Sequence, residues 1–261
     1  VCSSDLNGAW TPWVRNDEGT AGQEGSGLKI TGIRMTIVTK GAAIPGEKAA
    51  VQGIDPNRPM IALTFDDGPH APVTNRILDS LEANGGRATF FMVGNRVTGK
   101  ANKAAVARMA ALGCEVANHT YEHKAITKLG AEGIKSQLAR ANDSIRLAGG
   151  VSPVLMRPPG GAKSDAAMKT VGSMGMSAVL WSIDTLDWKT KNKQKTIDAV
   201  IGHVKDGDIV LMHDLYGTTA DAAEVIIPKL KEMGFQLVTV SELASYRGGI
   251  QPGKVYSRFR P

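Results

Sequence analysis

Two patterns of hydrophobic and polar positions divide the chain and meet near residue 58. Residues 28–38 alternate apolar and polar side chains, which is the period of a β-strand. From residue 60 onwards, short apolar runs alternate with segments of helical periodicity, and such βα repeats predict a parallel sheet covered by helices. The predicted strands are 60–65, 88–93, 114–117, 154–156, 178–183, 208–212 and 236–240, and the predicted helices include 73–83, 103–112, 131–148 and 220–233.

These patterns predict four segments. A small β-rich piece covers residues 1–38, and a linker with glycine and proline but no periodicity covers 39–57. An α/β domain covers 58–250, and a C-terminal tail covers 251–261. Residues 1–6 back-translate to a sequence that resembles a common sequencing-adapter end. We therefore interpret them as an assembly artefact and expect a truncated N-terminus, with no signal peptide visible.

Composition narrows the class of protein. The net charge of +6 and pI near 9.3 indicate either an ordinary solvated surface or attraction to an anionic polymer such as a cell wall. Basic patches interleaved with aromatic residues are absent, so we expect no nucleic-acid partner. The two cysteines, Cys2 and Cys114, are too few for a disulfide framework, and Cys114 is predicted to be a buried strand residue. No apolar run reaches about 18 residues, so no membrane span is predicted.

Candidate chemistry is concentrated in five short motifs, four of which fall at the ends of predicted strands. Hydrophobic periodicity leaves open whether the sheet is closed or open. In both cases ligands bind at the carboxyl ends of parallel strands, where these four motifs fall. The motifs are TFDDGP (64–69), HTYEH (119–123), RPPGG (157–161), DTLDW (184–188) and LMHD (211–214).

The first two motifs contain the ligands of a metal site. Asp66 and Asp67 follow a predicted strand, and neighbouring strand residues point to opposite sides, so one carboxylate can bind metal while the other transfers protons. On a helix, the spacing of His119 and His123 would place both rings on one face. With one carboxylate they form a set that suits Zn²⁺ or another divalent transition metal. The alternatives are a simple turn and two unrelated surface histidines.

Arg157 and His213 also end predicted strands. An arginine beside a carboxylate keeps that carboxylate ionised and directs it, although a surface salt bridge is the alternative for Arg157. His213 is either a satisfied core residue or a proton-transfer group, since the unperturbed pKa of histidine is about 6.5. A carboxylate must then orient its ring. We expect Asp214, the next residue, to support the structure rather than to react.

The five motifs in this order resemble those of the NodB-homology polysaccharide deacetylases, carbohydrate esterase family 4, over residues 58–245. The resemblance implies an α/β fold, a distorted (β/α) barrel of about seven parallel strands. It also implies hydrolysis of acetyl groups with a divalent metal, Zn²⁺ or alternatively Co²⁺. The resemblance assigns metal binding to Asp67, His119 and His123. It assigns catalysis to Asp66 as general base, His213 as general acid, Arg157 holding Asp66, and Asp187 orienting His213, with Asp184 the alternative. It assigns substrate contacts to Pro69, Gly160, Trp188 and Leu211.

One position departs from the family pattern. The family usually has tyrosine after Arg-Pro-Pro, whereas this chain has Gly160. That position is thought to donate a backbone N–H to the oxyanion, and glycine keeps this donor. The side chain that would line the groove is lost.

The N-terminal segment carries a second resemblance. Residues 8–14 and 27–33, with Trp10 and Trp13, resemble the end of a clostridial hydrophobic repeat with its Gly-Trp element. Such repeats occur in extracellular proteins, which implies association with the cell wall and an extracellular location. An exposed strand pair is the alternative. We expect the protein to be a monomer.

The predicted function is metal-dependent deacetylation of N-acetylglucosamine in peptidoglycan. Chitin oligomers, poly-N-acetylglucosamine and acetylated xylan are the alternative substrates. The motif at 119–123 also reads His-x-x-Glu-His, typical of a zinc peptidase in which Glu122 activates water. A non-catalytic wall-binding module is the third hypothesis. The peptidase hypothesis leaves the aspartate pair, the arginine motif and the last histidine motif unexplained.

Overall fold

A computed structural model describes the backbone of residues 2–4 and 10–12 and the whole of residues 53–261. The two short N-terminal strands, β1 (Cys2–Ser4) and β2 (Trp10–Pro12), pair antiparallel. They belong to a unit of residues 1–47, and residues 48–261 form the other unit. The remainder of the predicted N-terminal repeat, including the strand predicted at 28–38, and the linker up to residue 52 lie outside the described residues.

The larger unit alternates strands and helices, as the hydrophobic pattern predicts. Its strands are β3 (Met60–Asp66), β4 (Thr89–Met92), β5 (Glu115–Asn118), β6 (Leu155–Met156), β7 (Ser177–Val179), β8 (Ile183–Asp184), β9 (Ile209–His213), β10 (Gln236–Leu237) and β11 (Val255–Tyr256). Its helices are α1 (Ala71–Ala83), α2 (Gly99–Ala111), α3 (Ala131–Gly149), α4 (Asp165–Ser173), α5 (Asp187–Thr190), α6 (Lys193–Ile201), α7 (Gly217–Glu232) and α8 (Val240–Ser245).

The strands form one curled parallel sheet in the order β11-β7-β6-β5-β4-β3-β9-β8. The central strand β3 pairs with β9 along one edge. Its other edge is shared, because β10 pairs with Met60 and Ile61 while β4 pairs with the last three residues. The predicted α/β fold, a distorted barrel of parallel strands, is confirmed.

One predicted strand is divided in the structure. The apolar run 178–183 contributes to β7 and β8, which lie in different parts of the sheet. Between them Leu180 N–H donates to Tyr256 O (2.7 Å) and Ser182 N–H donates to Ile209 O (3.0 Å). The chain therefore crosses from β11 to β9 within three residues and connects the two sides of the curled sheet.

Both faces of the sheet are buried, so its strands read as continuous apolar runs. Ile61, Leu63 and Phe65 of β3 pack with the helices on the outer face. Met60 and Ala62 face the interior of the barrel, where α8 packs against them. A capping box begins α8: the Thr239 side chain accepts from the N–H of Glu242, and the Glu242 carboxylate accepts from the N–H of Thr239.

The segment predicted as a C-terminal tail contributes to this unit. Its strand β11 pairs with β7, and Phe259 is buried. Phe259 N–H donates to Gly207 O (2.8 Å), next to the start of β9. Cys114 is buried, as predicted, but lies one residue before β5. Among the described residues, no helix is both long and apolar enough to cross a membrane.

Candidate active site and metal centre

The carboxyl ends of the central strands surround a cavity of about 440 Å³. Asp66 ends β3, His213 ends β9, and the two residues are direct partners in the strand register. His119 follows β5 and Arg157 follows β6. The cavity is lined by Asp66, Asp67, His119, His123, Gly160, Trp181, Asp184, Trp188, Leu211, His213 and Tyr216.

Asp67, His119 and His123 converge on one point of this cavity. Their potential ligand atoms all lie within 4.8 Å of one another. The Asp67 Oδ1 atom lies 3.1 Å from His123 Nε2 and 3.5 Å from His119 Nε2. Asp67 has a left-handed backbone (φ 73°), which turns its carboxylate out of the β3 strand direction and separates its role from that of Asp66.

The histidine pair does not lie on a helix, which corrects the geometry expected from its spacing. The two residues lie at the two ends of a loop that follows β5, and Thr120 (φ 61°) and His123 (φ 55°) have left-handed backbones. Asn118 Oδ1 accepts from Thr120 N–H (2.7 Å) and so fixes the start of the loop. Gln137 Oε1 accepts from the next two backbone N–H groups (3.1 and 2.9 Å) and fixes its middle.

The hydrogen bonding of this trio fits a divalent metal. His119 Nδ1 lies 2.7 Å from the Arg157 carbonyl oxygen, which can only accept, so Nδ1 carries the hydrogen and Nε2 presents its lone pair. Asp67 Oδ1 is buried and receives no hydrogen bond from the described residues. A buried carboxylate oxygen without a donor is costly, and a cation held with the two imidazoles would satisfy it.

Electrostatics favour the metal-binding forms of Asp67 and His119. Burial alone would raise the pKa of Asp67, but the nearby rings of His123, His119 and His213 lower it to about 2. Burial lowers the pKa of His119, which favours its neutral ring. An ionised carboxylate and neutral imidazoles are the forms that coordinate a divalent cation.

Arg157 is fully buried and holds Asp66 in place. Its Nη1 donates to Asp66 Oδ1 (2.7 Å) and to Thr64 Oγ1 (2.7 Å), while Nε and Nη2 donate to backbone carbonyls (3.0 and 2.9 Å). The guanidinium also stacks 4.2 Å from the Phe91 ring centroid. The surface salt bridge considered from sequence is therefore excluded. The other carboxylate oxygen of Asp66 lies 3.8 Å from His119 Nε2, beside the trio.

Asp187, and not Asp184, contacts His213. Asp187 Oδ1 lies 2.8 Å from His213 Nδ1, and Oδ2 accepts from the His213 backbone N–H (2.8 Å) and from Thr219 Oγ1 (2.7 Å). Asp184 is exposed and its carboxylate accepts from the Leu186 backbone N–H. Burial alone would lower the pKa of His213, but the hydrogen bond and charge of Asp187 outweigh burial and raise it above the ordinary value.

The residues predicted to contact substrate separate into two groups. Leu211, Trp188 and Gly160 line the cavity. Gly160 has a left-handed backbone (φ 63°), and a Cβ there would meet open space, so the missing side chain leaves room on the rim. Pro69 is buried and is not among the lining residues.

Two aromatic lining residues were not predicted. Trp181 lies in the crossing segment between β7 and β8, and Tyr216 precedes α7, with its ring centroid 6.4 Å from that of His213. Neither belongs to a motif with recognisable chemistry. The proximity of Tyr216 to the LMHD motif was the one available signal.

Asp214 of the LMHD motif packs against Gly68 of the TFDDGP motif. Asp214 is buried, accepts from Thr74 Oγ1, and lies against Gly68, where a Cβ would come within 2.2 Å of both its carboxylate oxygens. Burial raises its pKa to about 7. Asp214 therefore packs beneath the residue that follows Asp67, which agrees with the supporting role expected from sequence.

The geometry does not support the peptidase hypothesis. The Glu122 carboxylate accepts from Gln137 Nε2 (2.7 Å) and pairs with Lys124 (2.7 Å), and Glu122 is not among the residues that line the cavity. A water-activating carboxylate must face the metal and the substrate. Asp66 has that position here.

Comparisons with known proteins show which sequences this chain resembles. The sequence model of the polysaccharide deacetylase family matches residues 53–179. The peptidoglycan-N-acetylmuramic acid deacetylase PdaC of Bacillus subtilis is 44% identical over 190 residues, which cover 73% of this chain and 40% of that protein. A peptidoglycan-N-acetylglucosamine deacetylase of Bacillus cereus is 37% identical over 73% of this chain and 91% of its own length.

Solved structures give the same result. A family 4 acetyl xylan esterase from Clostridium thermocellum, in complex with a cobalt ion, superposes with a TM-score of 0.72. It is 32% identical, and the match covers 77% of this chain and all of that structure. The chain spans about two fifths of the length of the Bacillus subtilis relative. The resemblance inferred from the five motifs is thereby confirmed: the chain belongs to the polysaccharide deacetylase family.

Proposed function

We propose that this protein hydrolyses the acetamido group of N-acetylglucosamine residues in peptidoglycan and releases acetate. The observation that carries the proposal is the pairing of Asp66 and His213 at the ends of adjacent strands, beside the ligand trio. This arrangement offers a proton acceptor, a proton donor and a metal site around one cavity. Family membership and the relatives' activities support the reaction class.

Asp67, His119 and His123 would hold the metal, and we propose Zn²⁺. Two imidazoles and one carboxylate suit a borderline transition metal, and the related esterase structure contains cobalt. When bound, such an ion supplies Lewis-acid polarisation of a carbonyl and of a water molecule.

Asp66 is the proposed general base. One of its oxygens accepts a hydrogen bond from Arg157, which orients the carboxylate. The other oxygen remains on the side of His119 and the cavity. A fixed carboxylate with one free oxygen can accept the proton of an attacking water.

His213 is the proposed general acid. Its Nδ1 is bound to Asp187, so Nε2 is the nitrogen left to donate a proton to the departing amine. Asp187 favours the protonated ring that this step requires. The backbone N–H of Gly160 would donate to the oxyanion, and Leu211 with Trp188 would enclose the acetyl methyl.

A second candidate substrate is N-acetylmuramic acid. The Bacillus subtilis relative, which is more similar in sequence than the Bacillus cereus one, is named for that activity. Chitin oligomers and acetylated xylan remain further alternatives from the same family. We also propose an extracellular or wall-associated location, wall contact through the N-terminal repeat, and a monomeric state.

The test is acetate release by the full chain from N-acetylglucosamine oligomers and from peptidoglycan. Stripping the metal should abolish release, and adding Zn²⁺ or Co²⁺ should restore it. His213→Ala should remove turnover while the metal content of the protein stays unchanged. Release of acetate by that variant at the wild-type rate would contradict the proposed general acid. Peptide cleavage without acetate release would contradict the reaction class.

A further inference from the structure

A second cavity, of about 480 Å³, lies in the C-terminal part of the chain, outside the catalytic site. Four of its lining residues are basic, and two others form an aromatic stack with ring centroids 5.1 Å apart. Neither the deacetylation chemistry nor the family motifs involve this cavity. The six residues concerned are Arg247, Lys254, Arg258, Arg260, Tyr256 and Phe259.

This basic cavity lies at the amino ends of the strands. Arg247 Nη2 donates to Asp206 (2.9 Å), and Asp206 also accepts from the backbone N–H of Met60, the first residue of β3 (2.8 Å). Asp66, at the other end of β3, lines the catalytic cavity. Six residue steps of roughly 3.3 Å place the two ends about 20 Å apart. One small ligand therefore cannot occupy both cavities.

Two of the four cations are neutralised and two are not. Arg247 pairs with Asp206, and Arg260 pairs with Asp208 (2.7 Å). Lys254 and Arg258 have no acidic partner among residues 53–261. Four cations against two carboxylates leave two unbalanced positive charges at one concave surface. Such a concentration of like charge attracts anions.

Backbone contacts fix the main chain that carries these two exposed cations. The carbonyl of Lys254 accepts from Ala178 N–H of β7 (2.9 Å), and Arg258 forms a β-bridge with Asp208. The flanking stack of Tyr256 and Phe259 gives the cavity a rigid apolar wall. The site therefore combines two exposed cations, carried on paired main chain, with an apolar surface.

We propose that the basic cavity binds a phosphate group of a polyanionic chain, with Lys254 and Arg258 as its direct contacts. Guanidinium and ammonium groups together are the usual protein partners of phosphate. The cavity is larger than a single phosphate, so it can also receive the adjoining polyol or sugar against the aromatic wall. Binding here would hold the enzyme on a phosphate-bearing surface while the catalytic cavity, about 20 Å away, stays free for its substrate.

The test measures binding of the full chain to soluble poly(glycerol phosphate) by titration calorimetry at low salt. The variant Lys254→Gln/Arg258→Gln removes the two direct contacts without breaking either internal ion pair. We expect its affinity to fall about tenfold or more, since two charge-assisted contacts are lost. A matched control, Lys103→Gln/Lys169→Gln, removes the same charge from exposed lysines of α2 and α4.

Four results would overturn the proposal. The wild-type protein could fail to bind the polymer, or the control could lose as much affinity as the cavity variant, which would indicate diffuse attraction. Equal binding of polyglutamate of matched charge would reject phosphate as the ligand. Acetate release from neutral N-acetylglucosamine oligomers should be unchanged in both variants. Loss of acetate release in the cavity variant would contradict a site separate from catalysis. Absence of acetate release in the wild type and in both variants would instead contradict only the proposed deacetylase function.

Discussion

Replacing Asp187 by asparagine tests the proposed general acid, His213, most directly. Asp187 is almost fully buried (1% exposed), and each of its oxygens accepts from two donors. An asparagine of the same shape must turn its NH₂ group towards two of those donors. In one orientation it faces Nδ1 of His213; in the other it faces the His213 backbone N–H. In both, the negative charge that stabilises the protonated ring is lost.

The expected loss of activity in Asp187→Asn follows from the hydrogen bond between Asp187 and His213. A hydrogen bond to a charged partner contributes about 1.5–3 kcal/mol, which corresponds to roughly ten- to hundredfold in rate. We expect kcat/KM for acetate release from N-acetylglucosamine oligomers to fall by this factor near neutral pH. Because the acid acts only when protonated, activity falls as pH rises through its pKa. Without Asp187 the burial of His213 is opposed only by the smaller effects of Asp66 and Asp67, so its pKa falls and the decline occurs at lower pH.

Two measurements check this reasoning. The pH profile of kcat/KM should shift towards acid in Asp187→Asn, and an NMR titration of the His213 ring should show the same direction. Asp184→Asn is the matched control, since Asp184 lines the same cavity without contacting His213. An unchanged profile in Asp187→Asn, or an equal shift in Asp184→Asn, would refute the proposed link between the buried aspartate and the acid.

Three further substitutions test the neighbouring elements. His119→Ala should lose the bound metal and the activity with it, and metal content measured after dialysis should fall well below that of wild type. Gly68→Ala drives a Cβ into the buried carboxylate of Asp214, so the free energy of unfolding in urea should fall by about 1–3 kcal/mol. Arg157→Met leaves Asp66 without its buried partner, so unfolding should become easier by about 3–5 kcal/mol; a change below 1 kcal/mol would contradict this burial argument.

The local pattern of apolar and polar residues predicted the alternating strands and helices well. The predicted strand 60–65 and helix 131–148 differ from β3 and α3 by one residue each, because both strand faces and one helix face are buried and therefore apolar. The division of 178–183 was not predicted. Its apolar run is continuous, and the break is set by hydrogen bonds to β11 and β9, which are distant in sequence.

The candidate metal site also depends partly on local sequence and partly on contacts between distant residues. Residue type and spacing predicted a metal site of His119, His123 and one carboxylate, and the family resemblance proposed Asp67; the three side chains lie together, yet the helix expected for the histidines is a loop. That loop is fixed by Asn118 and by Gln137 of α3, and neither residue carries a recognisable signal in the sequence. Spacing alone cannot distinguish a helical turn from a loop whose side chains happen to converge.

The α/β class, the order of the five motifs and the chemical types of their residues could be read from the amino-acid sequence, because burial and chemistry select residue types locally. The folded structure was needed to show that Asp187 rather than Asp184 meets His213, and that Arg157 is buried against Asp66. It alone also brought the basic residues of the C-terminal segment around one cavity. These outcomes depend on which strand ends become neighbours, and strand pairing is set by contacts between residues far apart in the chain.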